Sequence, residues 1–398
     1  MVRVAIDAAC WGNQRGYGRY MREVLGALWE IDTENEYVLV ADTQTELGAG
    51  IPDRIPIHKA ELAQSPLAGA SAGSNRGLRD VIAMSKLARS VPCDVFFFSS
   101  VYTYFPYFGP GRVAVVFHDA IAELHPEQVF TNKRSQFLWN VKTRMAIHEA
   151  DQIVTVSEYS RRELAEVYDL VESEFVVASE GPSQVFLDAC SKPLEPQQAQ
   201  LAELKPGDKY FVYAGGFAPH KNLVALVQQY AGLVHAHSDD AEDAPLLVMI
   251  GEYEQETFHS NFGDLSRAIE SCGVADKVRF TGFVSDKDLA ALFANAVALC
   301  LPSLREGFGL PAVEAAAAGT PAIATHCSPL PGVLAGGGIF IDPEVPEQLR
   351  SALDVMAYDE TQRETMAGKA RQLAESLSWR KSAEALKSCF EEMGRGRT

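Results

Sequence analysis

The stretch Arg305–Thr325, REGFGLPAVEAAAAGTPAIAT, sets two carboxylates, Glu306 and Glu314, on either side of a glycine turn. Pro311 suits the first turn of a helix that ends before Gly319. The unpaired N–H groups from Phe308 to Leu310 at the start of that helix are placed to hold an anion. Carboxylates only accept hydrogen bonds, so Glu306 and Glu314 would take the hydroxyls of a sugar or ribose on either side of bound phosphates. The same residues have a plainer reading, with Glu306 a helix-start carboxylate favoured by the dipole and Glu314 a solvated helix position. The small residues around Glu314 argue for close packing, and a carboxylate there needs a partner. A hydrolytic acid–base pair fits less well, because eight helical residues span about 12 Å against roughly 6.5 to 9.5 Å for an inverting pair.

Two more loops follow strands and precede helices. In YAGGFAPHKN, Tyr213 to Asn222, Gly215 and Gly216 permit close backbone approach, and Lys221 falls near a helix start, where the macrodipole disfavours a cation. An anion between Lys221 and the backbone N–H groups would resolve that conflict. In GYGRY, Gly16 and Gly18 open a helix directly after the first strand. That loop reads equally as an anion site and as a purely structural turn.

These loops need a scaffold. VRVAID, EYVLVAD, CDVFFFSS, VAVVFHD and QIVTVSE alternate with amphipathic segments, the rhythm of a parallel sheet covered by helices. Around Glu180 the chain changes to EGPSQVF and then a polar stretch with Pro193, Pro196 and Pro206, which reads as a linker. The rhythm then restarts with KYFVYAGG, PLLVMIG, KVRFTGF, AVALCLPS, TPAIAT and GGIFIDP. The fold class is therefore α/β with two Rossmann-like, doubly wound domains, 1–185 and 186–378, and a terminal helix 379–398. Ala383, Leu386, Phe390 and Met393 recur at helical spacing in that helix and require a packing partner.

Composition narrows the class. A 398-residue chain with 47% hydrophobic and 22% charged residues can bury two cores. It has no run long enough for a membrane span, and its first residues lack the pattern of a signal peptide, which favours a cytoplasmic protein. Seven scattered cysteines read as buried small hydrophobes, not as metal or redox sites. A net charge of −18 argues against nucleic acid. Residues 51–150 depart from this acidity, with 11 Lys and Arg against 8 Asp and Glu. Within them, Phe130 to Ala150 carries Lys133, Arg134, Lys142, Arg144, Phe137 and Trp139. It reads either as an ordinary amphipathic helix or as weak peripheral contact with the inner face of a membrane.

The spacing of Glu306 and Glu314 in SLREGFGLPAVEAAAAGTPAIAT resembles the signature of glycosyltransferase family 4, retaining enzymes of GT-B architecture. GYGRY, VVFHDAIAELHPE, ADQIVTVSEYSRREL, YAGGFAPHKN, VRFTGFVSDKDL and SWRKSAEAL resemble family blocks in the expected order. The resemblance implies transfer of a sugar from a nucleotide-diphosphate donor to a sugar, glycan or lipid-linked acceptor in an interdomain cleft. The acceptor would lie mainly on the first domain and the donor mainly on the second, with the terminal helix crossing back to the first. It implies no cofactor and no metal. Lys221 would neutralise the pyrophosphate, Glu306 would bind donor-sugar hydroxyls, Glu314 the ribose, and His118 would face the transferring sugar. Gly16 and Gly18 would line the cleft, Gly282, Phe283 and Val284 would lie near the base, and Gly307, Phe308, Gly309 and Leu310 would supply backbone donors. His118 also reads as a structural histidine at a strand end. Two positions depart from the family pattern: Gly216 stands where an arginine is usual, and Glu180-Gly181-Pro182-Ser183 replaces the usual hinge. A nucleotide-sugar-binding subunit without turnover, and a phosphorylase or epimerase on the same fold, are the alternatives.

Overall fold

The structure is a computed structural model, described for residues 1–13, 16–48, 50–62, 77–237, 244–253 and 261–396. Its chain divides into two compact units, Met1–Glu180 with Trp379–Thr398, and Gly181–Ser378. The division falls at Gly181, not at residue 186. Two contacts tie the preceding residues to the first unit: the Ser382 hydroxyl donates to the Ser179 carbonyl, and Glu180 lies beside His118.

The first unit has seven parallel strands: β1 (Arg3–Asp7), β2 (Glu36–Asp42), β3 (Ile57–Ala60), β4 (Val95–Phe98), β5 (Arg112–Phe117), β6 (Gln152–Thr155) and β7 (Phe175–Val177). Their order is β3-β2-β1-β4-β5-β6-β7. The sheet winds one way from β1 and the other way from β4, and loops leaving such a switch point diverge to leave a crevice. VFFF of β4 is wholly buried, as expected of a central strand with both faces covered. β3 and β7 give no clear signal in the sequence. They are short edge strands, and most of IHKA in β3 is exposed, so no apolar run marks it.

The helix Gly16–Ile31 buries Tyr20, Met21, Val24, Leu25, Leu28 and Trp29, a single helical face. It packs against the terminal helix Trp379–Arg395, which buries Ala383, Leu386, Phe390 and Met393 and sets Phe390 5.2 Å from Phe97 of β4. Polar contacts fix the same pairing. Asp32 accepts from the hydroxyl of Tyr37 (2.5 Å) and from the amide of Asn35 (2.8 Å), and Lys387 of the terminal helix reaches its other oxygen at 3.3 Å.

The second unit has six parallel strands: β8 (Tyr210–Ala214), β9 (Leu246–Ile250), β10 (Val278–Gly282), β11 (Ala298–Leu301), β12 (Ala322–Thr325) and β13 (Gly338–Ile341). All six coincide with the apolar runs read from the sequence. Their order is β10-β9-β8-β11-β12-β13, which puts the switch point between β8 and β11.

Burial pushes the Asp32 carboxyl up, but the bonds from Tyr37, the Glu34 N–H and Asn35 outweigh it and hold it at about 2. A carboxylate lowered in the folded state contributes stability above its unfolded value, and that stability is lost as pH falls from 3.8 through about 2. Asp32→Asn should therefore lower the melting temperature at neutral pH, and its deficit against the parent protein should shrink across that acid window. A constant deficit over the window would show that the charge of Asp32 is not what stabilises the helix pairing.

Candidate active site

In the second unit the site is built at the switch point. The chain leaves β8 through Gly215 and Gly216 and makes a single tight turn, Pro219–Lys221, before the helix Leu223–Ala236. It leaves β11 through Ser303 and Glu306 toward the helix Leu310–Ala317. The Leu304 N–H donates to the His220 carbonyl at 2.8 Å, so the two loops are joined by backbone. Lys221 Nζ then donates to Glu306 Oε1 at 2.7 Å, and the Ser303 hydroxyl donates to the same oxygen at 2.6 Å. The loop after β12 adds a third support, because the Glu306 N–H donates to the Cys327 carbonyl at 3.1 Å.

Glu306 is 8% exposed, and the Lys221 side chain is 19% exposed. The cation at the helix start pairs with the carboxylate of the neighbouring loop. Sequence reading gave the two residues separate tasks and did not pair them, because 85 positions separate them. Ser303 carried no signal beyond its place after an apolar strand.

The glycine turn of this loop is fixed by packing. Gly309 has φ +86°, and an added Cβ would lie 2.7 Å from Leu330 Cδ1. It precedes a helix whose N-terminus has no side-chain cap; Pro311 brings no N–H to its first turn, and the Ala312 N–H donates to the Gly309 carbonyl at 2.9 Å. Phe308 and Leu310 are buried beside Gly307 and Gly309. Glu314 is only 2% exposed, so it is not a solvated helix position. Gly215 donates its N–H to the Ile250 carbonyl, and Gly216 accepts from the Tyr213 hydroxyl. The Gly282 carbonyl accepts from the Gly251 N–H at 3.1 Å. Of the next two residues Phe283 is exposed and Val284 buried.

His118, Gly16 and Gly18 belong to the first unit and are gathered at the ends of its central strands. His118 follows β5, and its Nε2–H donates to the Ser99 carbonyl after β4 at 3.2 Å. Its Nδ1 is 3.9 Å from Glu180 Oε1. The rings of Tyr17 and Tyr20 each stand 4.9 Å from the imidazole. Burial, then the charge of Glu180, pushes the Tyr20 hydroxyl far above its usual range, so it stays protonated. Gly18 is required by close approach, since a Cβ there would meet the Asn13 carbonyl oxygen at 1.9 Å. Gly16 has open space around it. Sequence reading missed the setting of His118. Both tyrosines were visible in GYGRY, whereas Glu180 lay in the stretch read as a linker.

The helix Lys133–Glu149 also differs from its reading. Trp139 is buried, and Lys142 turns inward over the Trp139 ring at 4.3 Å to donate to the Tyr102 carbonyl at 3.1 Å. Phe137, Leu138, Val141 and Met145 are exposed instead. Among the described residues no helix is long and apolar enough to cross a membrane.

The ion pair is testable as an interaction. Removing one partner leaves a largely buried charge, whereas removing both does not. A double-mutant cycle with Lys221→Met and Glu306→Gln, read by chemical denaturation, should give a coupling of about 1–3 kcal/mol. Strictly additive losses would mean that the pair does not hold the loops together.

Residues 196–373 match the family described as Glycosyl transferases group 1. Over 275 residues the chain is 26% identical to the O-antigen chain mannosyltransferase B of Escherichia coli, covering 67% of each chain. It is 27% identical over 250 residues to the D-inositol 3-phosphate glycosyltransferase of Corynebacterium jeikeium, covering 62% of this chain and 58% of that protein. Among the first curated relatives the matched stretch spans from 32% to 67% of their length. Among solved structures, WaaG, a glycosyltransferase involved in lipopolysaccharide biosynthesis, aligns with a TM-score of 0.74 at 16% identity, covering 97% of this chain and 99% of that one. Anabaena HepE, in complex with UDP and glucose, aligns with a TM-score of 0.71 at 14% identity, covering 98% and 100%. The chain thus has the two Rossmann-like α/β domains of the GT-B fold, and the paired loops of its second unit lie within the residues that match the glycosyl transferases group 1 family.

Proposed function

We propose that the protein is a retaining glycosyltransferase that moves a hexose from a nucleotide-diphosphate donor to an acceptor hydroxyl on a sugar, glycan or lipid-linked molecule. The observation that carries this reading is the Lys221–Glu306 pair at 2.7 Å, set at the switch point of the second sheet beside an uncapped helix start. Such a crevice is where open α/β sheets bind ligands. The names of the curated relatives and the UDP and glucose bound to a protein of the same fold support the choice of reaction.

In this mechanism Lys221 meets the donor diphosphate and neutralises charge as the leaving group departs. Glu306, held by Ser303, takes hydroxyls of the donor sugar, and Glu314 takes those of the ribose. Gly307, Phe308, Gly309 and Leu310 offer backbone donors to the phosphates. Gly215, Gly216, Gly282, Phe283 and Val284 line the nucleotide. His118 faces the transferring sugar, positioned by Ser99 and Glu180, and Gly16 and Gly18 form the adjoining loop. Attack comes from the face that the nucleotide leaves, and a leaving phosphate oxygen takes the acceptor proton. Catalysis is then positional and electrostatic, with neither cofactor nor metal required.

Gly216 favours one other reading, a subunit that binds nucleotide-sugar without turning it over, since the arginine expected from the family resemblance is missing there. A thermal-shift panel of UDP, GDP, ADP and TDP and their sugar conjugates, with and without Mg²⁺, should single out one nucleotide family. With that donor, Lys221→Ala and Glu306→Ala should each lower kcat by roughly 10²–10³ while the circular dichroism spectrum is kept. Full rates in both variants would refute the assignments, and binding without turnover in the parent protein would select the subunit.

We also propose weak peripheral contact with a membrane, through exposed Phe137, Leu138, Val141 and Met145 beside Lys133 and Arg134. The protein should sediment with phosphatidylglycerol vesicles and less with phosphatidylcholine alone. Phe137→Ser with Met145→Ser should release it. Equal sedimentation of that double variant would rule this face out.

A further inference from the structure

We propose that Arg305 is a second donor-binding cation, a guanidinium that takes the diphosphate together with Lys221. The inference rests on the reading of the second unit as the nucleotide-diphosphate site and names the residue that balances the donor's charge there.

The first argument is where cations can stand. Ligands of an open parallel sheet are held by the segments that run from the carboxyl ends of its strands. In the second unit, lysine and arginine occur in only two of the segments between a strand and the next described helix, at 221 and at 305. Those two segments leave β8 and β11, the strands on either side of the switch point. Other cations of this unit are placed elsewhere: Lys209 and Lys277 come directly before β8 and β10, at the opposite end of the sheet, and Arg279 within β10 donates to the carbonyls of Asp276 and Val278.

The second argument is the balance of charge. Lys221 is paired with Glu306 at 2.7 Å, so the two together are neutral. Glu314, buried on the helix Leu310–Ala317, adds another carboxyl. Each phosphate of a sugar-linked diphosphate carries a negative charge, and two carboxyls against one lysine would repel it. The helix start gives limited relief, because Pro311 has no N–H and the Ala312 N–H is taken by the Gly309 carbonyl. Gly216 has no side chain to contribute. Arg305 brings the charges level.

The third argument is placement. The Leu304 N–H donates to the His220 carbonyl at 2.8 Å, and the Glu306 N–H donates to the Cys327 carbonyl at 3.1 Å. The backbone on both sides of Arg305 is thereby fixed to neighbouring loops, one of which carries Lys221. Arg305 is also half-buried, so part of its side-chain freedom is lost before a ligand arrives. A guanidinium is a planar fork of donors that can meet two phosphate oxygens at once, which a lysine cannot reproduce.

The test uses the full chain with UDP, GDP, ADP and TDP and the matching uncharged nucleosides, read by calorimetry for the diphosphates and by saturation-transfer NMR for the nucleosides. For whichever diphosphate binds the parent protein, Arg305→Gln should weaken affinity roughly tenfold or more while the nucleoside binds as before. Arg305→Lys should recover only part of the loss. Arg267→Gln removes the same charge from an exposed helix position and should leave diphosphate affinity unchanged. The proposal is overturned if Arg305→Gln binds the diphosphate as the parent does, if it loses diphosphate and nucleoside alike, or if Arg267→Gln loses as much. A parent protein that binds none of the diphosphates sinks the donor reading itself. Diphosphate binding that survives Arg305→Gln but not Lys221→Ala keeps that reading and rejects Arg305 alone.

Discussion

One ion pair sets what the second unit can do. Parallel strands that wind in opposite directions from β8 and β11 leave their loops diverging, and nothing in the sheet itself holds the loops at a fixed spacing. Lys221 and Glu306 close that gap at 2.7 Å, with Ser303 fixing the carboxylate and the His220 carbonyl fixing the backbone. A cation at a helix start and a carboxylate shielded from water are each costly alone. Placed together they become compatible, and they give the crevice one strong donor and one strong acceptor at known positions.

The first unit holds the loops at its own switch point differently. The loops after β1, β4 and β5 are brought together by rings and by close backbone approach. His118 is enclosed by Tyr17 and Tyr20 and bonded to the Ser99 carbonyl, and Gly18 lets the Asn13 carbonyl come close to the helix start. The terminal helix fastens this arrangement from behind, through the apolar seam of Leu386, Phe390 and Met393 and through Lys387 on Asp32. Residues far apart in sequence thus form a single core.

The strands were legible wherever burial on both faces left a continuous apolar run, as in VFFF and LLVMI. They were illegible at β3 and β7, where an edge position relaxes the demand for apolar side chains. Glycines, Pro311 and the carboxylates of the opening stretch were legible because turn geometry and helix starts restrict residue type locally. The helix Lys133–Glu149 was misread in part: local sequence shows that Trp139, Lys142 and Phe137 share a helix, but not which of them the neighbouring elements leave room to bury.

By itself the sequence determined the α/β rhythm, the restart after Glu180, and the loops where chemistry could sit, because periodicity and turn chemistry are properties of neighbouring residues. The tertiary structure alone decided that Lys221 meets Glu306, that Glu180 stands beside His118, and that the terminal helix joins the first unit. Each of these is a contact between residues on separate elements. Strand order and helix packing, which bring such elements together, leave no mark in the local spacing of residues.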